Sequence, residues 1–232
     1  MTPQPGSPAR IPANTAKASL KQERAAKRAK KLEEYHRQQK RAKRNRLFGV
    51  VGGALAIVAI IALIVTAFVL TPKAANYAGG GAGDASTIEG VENFGNTAGH
   101  VETTVTYEQT PPAGGEHNPA WLNCGIYEQE VPNENAVHSL EHGAIWVTYD
   151  PSIPDAELDR LKAELPSTYV VLSPFADIPA PIVLSGWNSQ LRVDSADDPR
   201  ITEFFTEFWK SVNVPENGAS CSGAIDAPGK VS

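Results

Sequence analysis

Sulfur is scarce in this 232-residue chain, which has two cysteines and one methionine. Two cysteines are too few for a disulfide-dense miniature scaffold or a four-thiolate zinc finger. The lone methionine, Met1, excludes a methionine-rich metal-transport motif. There is no phosphate-binding loop, no Gly-x-Gly-x-x-Gly dinucleotide fingerprint and no Gly-x-Ser-x-Gly nucleophile elbow. Histidine is also rare, and its distribution is uneven: four of the five lie between His100 and His142, and only His36 falls elsewhere.

Acidic side chains are nearly missing from one end of the chain and basic ones are sparse in the rest. Residues 1–46 carry 14 Lys/Arg against 3 Asp/Glu, a net +11, while residues 47–232 carry 7 against 23, a net −16. The overall −5 describes neither part. Between them lies LFGVVGGALAIVAIIALIVTAFVL, residues 47–70, without a single charge. At a helical rise of 1.5 Å per residue this run extends about 36 Å, enough to span a bilayer with some tilt. A cleavable signal peptide has a short basic start, whereas here 46 residues precede the apolar run. The segment therefore reads as a transmembrane helix that remains attached as a signal anchor. Lys40, Arg41, Lys43, Arg44 and Arg46 abut its start and only Lys73 follows closely. The positive-inside rule then puts the N-terminus in the cytoplasm and everything after residue 70 outside the plasma membrane.

The basic arm, 1–46, has no Gly or Pro from residue 15 onward and is rich in good helix formers without a wide apolar stripe. It reads as a solvated helix or a disordered arm. Its charge suits anionic lipid head groups, at about 1 kcal/mol per basic residue near the surface, or serves only to fix topology. Nucleic acid is not an expected partner, because Tyr35 is the only aromatic residue among the positive charges. Residues 71–96 hold six glycines and few large apolar side chains, the composition of a flexible tether. Residues 97–225 read as one α+β domain of mixed sheet and helices, followed by a tail, 226–232. Strands are expected at 101–106, 144–149, 169–172, 182–185 and 191–193, with the last two joined around Trp187, Asn188 and Ser189. Helices are expected at 134–142, at 154–165, and from Pro199 to about Val212, where Ile201, Phe204, Phe205 and Phe208 form a buried face. The expected core comprises Val101, Ile145, Val147, Leu161, Val171, Leu184 and Phe205, and a ferredoxin-like topology is the alternative arrangement.

The stretch GHVETTVTYEQTPPAGGEHNPAWLNCGIYEQEVPNENAVHSLEHG contains Pro111, Pro112, Gly114, Gly115, His117, Trp121, Cys124, Gly125 and Tyr127, and then His138, Glu141, His142 and Gly143. It resembles the domain of unknown function 3105 family, small actinobacterial and other bacterial proteins. Their hallmark is a Pro-Pro-x-Gly-Gly-x-His-x-x-x-Trp-x-x-Cys-Gly-x-Tyr run followed by His-Ser-Leu-Glu-His-Gly. The resemblance covers about residues 99–221. It implies domain extent and membership but no activity, so the mechanism has to come from the residues.

A helix over 134–142, with Asn133 at its cap and Gly143 just past its end, puts His138 and His142 one turn apart on one face, where they can share a metal ion. His100, from the first strand, and His117, from the glycine-rich loop, can complete a site of three or four histidines. Imidazole ligands suit copper or zinc. Glu141 is expected to orient one of these histidines rather than bind the ion, although it can also serve as a ligand. The alternatives are histidines that only satisfy buried backbone, and histidines in acid/base chemistry. His138 to His142 also fits the His-x-x-Glu-His string of inverted zinc peptidases. A glycine and a strand follow it at once, however, and the domain is small for such a cleft.

Cys124 and Cys221 lie on the expected oxidising side and read as a disulfide that fastens the end of the domain to the histidine-bearing loop. The competing reading makes Cys124 a thiolate ligand. The four tryptophans are expected as core and cap residues. The combined reading is a single-pass membrane protein whose extracytoplasmic domain binds copper or zinc for handling or sensing, and it is not assigned as an enzyme. A non-catalytic cell-envelope module with an envelope protein partner is the alternative, and a metal-dependent hydrolase ranks below both.

Overall fold

The structure, a computed structural model, describes residues 13–70 and 74–232. The first twelve residues of the basic arm and residues 71–73 of the expected tether lie outside the described residues. The chain divides into two compact units, Met1–Thr71 and Pro72–Ser232.

The first unit is one helix, α1 (Ala13–Leu70). The Ala, Lys, Arg, Glu and Gln of the basic arm all favour helix, so of the two expectations for that arm the helical one holds over its described part. By length and composition the helix is apolar enough to cross a membrane. Leu47, Leu55, Ile60 and Leu63 are all exposed along it.

The second unit is built on a six-stranded mixed sheet. Its strands are β1 (Val91–Asn93), β4 (Gly125–Ile126), β5 (Ile145–Tyr149), β6 (Val170–Pro174), β7 (Ile182–Gly186) and β8 (Ser189–Val193), in the order β1-β8-β7-β5-β6-β4. Two further short strands, β2 (Gly99–His100) and β3 (Glu116–His117), form a separate parallel pair. The helices are α2 (Asn133–Glu141), α3 (Asp155–Ala163) and α4 (Arg200–Phe208). Central strands β5, β6 and β7 are buried along their whole length, as continuous apolar runs covered on both faces must be. Ile145, Val147 and Tyr149 of β5 point into a core with Leu161, Ile201, Phe204, Phe205 and Phe208 of α3 and α4. Trp146, between them, points to the opposite face and packs with Val171, Leu122, Tyr127, Ala136 and Leu140. Helix α2 therefore lies on one side of the sheet, and α3 and α4 lie on the other.

Several expectations are corrected. Residues 101–106 do not form a strand: the pairing stops after His100, and the Val105 amide donates to the Glu134 carboxylate at 3.0 Å instead of to a neighbouring strand. Val101 is consequently only half-buried and lies outside both cores. The ferredoxin-like alternative fails because it needs a helix between its last two strands. Here β7 and β8 form a hairpin, turning at Asn188 (φ 60°), and α4 follows them.

The described part of the expected tether packs into the domain. Ala85 and Ile88 are buried in the core of α3 and α4, the Tyr77 ring stacks on Phe205 at 4.8 Å, and Val91–Asn93 pairs with β8. Six glycines masked the few apolar residues that do this. The expected tail is also docked, with Ala227 buried and the Ile126 amide donating to the Ser232 carbonyl at 3.0 Å.

Candidate metal centre

Helix α2 carries the centre, and its position follows from polar contacts along one side. Pro132 precedes the helix in extended conformation, so the helix begins at Asn133 rather than being capped by it. The Asn135 amide group donates to the Ala120 carbonyl at 2.6 Å, and Ser139 Oγ donates to the Leu122 carbonyl at 2.7 Å. These bonds clamp the helix to the loop that leaves His117. At the other end His142 is the C-cap, and Gly143 adopts φ 96°, a left-handed conformation that frees the chain to turn straight into β5. A Cβ at Gly143 would stand 3.0 Å from Lys210 Cα, so glycine is also needed for close approach.

His100 and His117 are register partners on the parallel pair β2 and β3, which sets their rings edge to face at 4.9 Å. The His138 ring lies 4.8 Å from both and 4.7 Å from His142. Three of the four rings are buried; His100, with 46 % of its side chain exposed, is the exception.

The carbonyl oxygens around the rings fix which ring nitrogen carries a proton. Nδ1 of His117 lies 2.8 Å from the Gly115 carbonyl, Nδ1 of His138 is 2.7 Å from that of Asn118, and Nδ1 of His142 is 2.7 Å from that of Ser220. A carbonyl can only accept, so each Nδ1 carries the proton and donates it. In a neutral ring Nε2 is then a bare lone pair, and these lone pairs lie close to two carboxylates. His117 Nε2 is 2.8 Å from Glu141 Oε2, with His100 Nε2 3.6 Å from the same oxygen. His142 Nε2 is 3.1 Å from Glu216 Oε2, and His138 Nε2 is 3.9 Å from it. Burial pushes the His138 imidazole below its ordinary value. The neighbouring His142, His117 and His100 push it the same way, against the opposing bond to Asn118.

Among the described residues, side chains that could hold a metal ion form two groups whose candidate atoms all lie within 4.8 Å of one another: His100, His117, His138 and Glu141 in one, and His138, His142 and Glu216 in the other. The four histidines singled out from sequence are thus neighbours, with His138 in both groups, His100 and His117 in the first only and His142 in the second only. Glu141, expected either to orient a histidine or to bind the ion itself, falls within the first group. Glu216 was missed. It lies 74 residues beyond His142 in an irregular segment, held over the end of α2 by its own amide, which donates to the Glu141 carbonyl at 3.2 Å. No sequence periodicity could have singled it out. Three nitrogens and one carboxylate oxygen can close a tetrahedral shell around zinc or a copper ion, whereas two nitrogens and one oxygen leave a position open.

Trp121 packs against the centre with its ring 5.2 Å from His142 and 5.9 Å from His138, and its buried indole N–H has no partner among the described residues. Trp187 lies edge-on to His117 at 5.8 Å. These two tryptophans wall the histidines, while Trp146 and Trp209 belong to the two cores. Cys124 is joined to Cys221, so it is not available as a thiolate, and the bond holds the segment whose Ser220 carbonyl orients His142.

No curated protein and no solved structure matches the chain. A family model described as "Protein of unknown function (DUF3105)" matches residues 100–223, a span that includes both ligand sets and both cysteines. The chain therefore belongs to the DUF3105 family.

Proposed function

We propose that this chain is a single-pass membrane protein, with its N-terminus in the cytoplasm, whose extracytoplasmic domain binds a transition-metal ion, copper or zinc, through His100, His117, His138 and Glu141. One observation carries the reading. The rings of His117 and His142 each lie between two acceptors, a carbonyl at Nδ1 and a carboxylate at Nε2. A neutral imidazole has one N–H, which the carbonyl takes, so the carboxylate faces the Nε2 lone pair with room for a cation between them. A metal ion accepts the Nε2 lone pairs and the carboxylate together while leaving every Nδ1–carbonyl bond in place. Those bonds are the supporting contacts that histidine ligands require to hold tautomer and orientation. The ion also lies at the C-terminal end of α2, where the helix dipole favours positive charge.

The test is the metal content of the full-length chain purified in detergent, measured by mass spectrometry, together with its melting temperature with and without chelator. Binding predicts a stoichiometric ion, a melting temperature that falls on chelation, and loss of the ion in His117→Ala and His138→Ala. The second reading, a cell-envelope module with structural histidines, draws on the same three Nδ1–carbonyl bonds, which need no metal. It predicts no bound ion and melting that is indifferent to chelator. The topology has its own check. A reporter that works only outside the cytoplasm, fused after Ser232, is active in the proposed orientation, and cytoplasmic activity of that fusion overturns it. Vesicles with and without anionic lipid test the basic arm, whose binding would weaken as salt rises.

A further inference from the structure

We infer that the two ligand sets are alternative positions for a single ion, which His138 passes from a closed position to an open one, so that the domain acts in metal transfer by ligand exchange. This rests on the metal-binding reading above and specifies its use.

The argument starts from the valence of His138. Its Nδ1 donates to the Asn118 carbonyl at 2.7 Å, which leaves Nε2 as its only ligand atom. His138 belongs both to the set of His100, His117 and Glu141 and to the set of His142 and Glu216. One lone pair coordinates one ion, so full occupation of either set withdraws His138 from the other. Two ions that both draw on His138 are therefore excluded, and a pair bridged by an imidazolate would require breaking the Asn118 bond.

The two positions differ in closure. The first offers four ligand atoms, a complete tetrahedral shell, with His117, His138 and Glu141 buried and His100 46 % exposed, so the number of ligands and not exposure is what closes it. An ion there has no free coordination position for an incoming donor. The second offers three ligand atoms, and one of them, Glu216, has 44 % of its side chain exposed. An ion held there keeps a vacant position on the solvent side. Exchange with a carrier that supplies a competing imidazole or thiolate thus proceeds from the second position, reached through His138 without the ion becoming free in solution. The carboxylates divide between the positions, Glu141 in one and Glu216 in the other, so the ion keeps one anionic ligand in each.

This makes a prediction of unusual sign: removing a ligand of the open position slows release, because it removes the exit route. The experiment loads the full-length chain in detergent with zinc and mixes it with an excess of a chromophoric chelator in a stopped-flow instrument. Wild type is expected to hold one zinc per chain at saturation and to transfer it at a rate that rises with chelator concentration. Glu216→Gln and His142→Ala are expected to transfer it slower by about tenfold. Glu216→Gln alters only a half-exposed carboxylate and keeps the test decisive should His142→Ala fail to fold. Saturation at two zinc ions per chain, or transfer in Glu216→Gln as fast as in wild type or faster, overturns the inference while leaving metal binding intact. Absence of bound zinc and copper in wild type overturns the binding reading itself, and the inference with it.

Discussion

Glu141 Oε2 lies 2.8 Å from Nε2 of His117, with both groups buried. A carboxylate that only oriented the histidine would be expected at the far nitrogen, but Nδ1 of His117 is already engaged by Gly115. Glu141→Gln, which keeps the shape and removes the charge, is therefore expected to weaken zinc binding by more than the tenfold to about hundredfold loss typical of an orienting partner. Competition titration against a chromophoric chelator measures it. A loss below about tenfold would put Glu141 back behind the ligands.

His138 gives the metal-free protein a pH dependence of definite sign. Its imidazole is held below the ordinary value in the folded chain and returns to about 6.5 when unfolded. Between those two values the unfolded chain binds more protons, so acidification favours unfolding. Stability is therefore complete above about pH 6.5 and declines as the pH falls toward the folded value. Urea unfolding of chelator-treated protein between pH 7.5 and pH 5 tests this, with His138→Gln expected to show the shallower dependence.

Elements set by local pattern could be read from the sequence. The i, i+3, i+4, i+7 face of Ile201, Phe204, Phe205 and Phe208 forms α4, and the apolar run at 145–149 is a buried central strand. The spacing of His138 and His142 likewise became a real contact on α2. What could not be read depends on partners distant in sequence. Whether Val101 to Thr106 forms a strand depends on a neighbour to pair with, and beyond the Val101 amide, which donates to the His117 carbonyl at 2.8 Å, none is offered among the described residues. Whether Tyr77, Ala85 and Ile88 belong to a linker depends on α4 and its surroundings, more than a hundred positions away. Glu216 has no local pattern at all, and it reaches His142 only because the Cys221 region folds back on Cys124.

That covalent tie predicts a stability change. Non-reducing digestion and mass spectrometry should recover Cys124 linked to Cys221. Replacing both with Ser should cost about 2–5 kcal/mol, toward the upper end given a separation of 97 residues. Denaturant titration measures the loss. Recovery of both as free thiols from protein made in an oxidising compartment would contradict the bond.

Tyr77 tests whether the glycine-rich stretch is part of the domain. Its ring stacks on Phe205, and its hydroxyl donates to the Glu164 carbonyl at 2.7 Å, with burial pushing the phenol up to about 12. Tyr77→Ala is expected to cost about 1–3 kcal/mol from the lost ring contact and hydrogen bond. Unchanged denaturant unfolding would mean that the stretch hangs free.

Strand β1 has a further consequence, for solubility. It is only three residues long, yet it covers β8 along Val91↔Leu191, Glu92↔Gln190 and Asn93↔Ser189. A short rim with a glutamate in it presents little to another sheet, which is how natural β-proteins avoid joining edge to edge. A fragment starting at residue 97 would lose that rim and expose the five-residue β8, with Leu191 in its middle, as an unpaired template. Such a fragment is prone to self-association for reasons unrelated to its histidines, and clumping that it showed without added metal would report on the cut rather than on the centre.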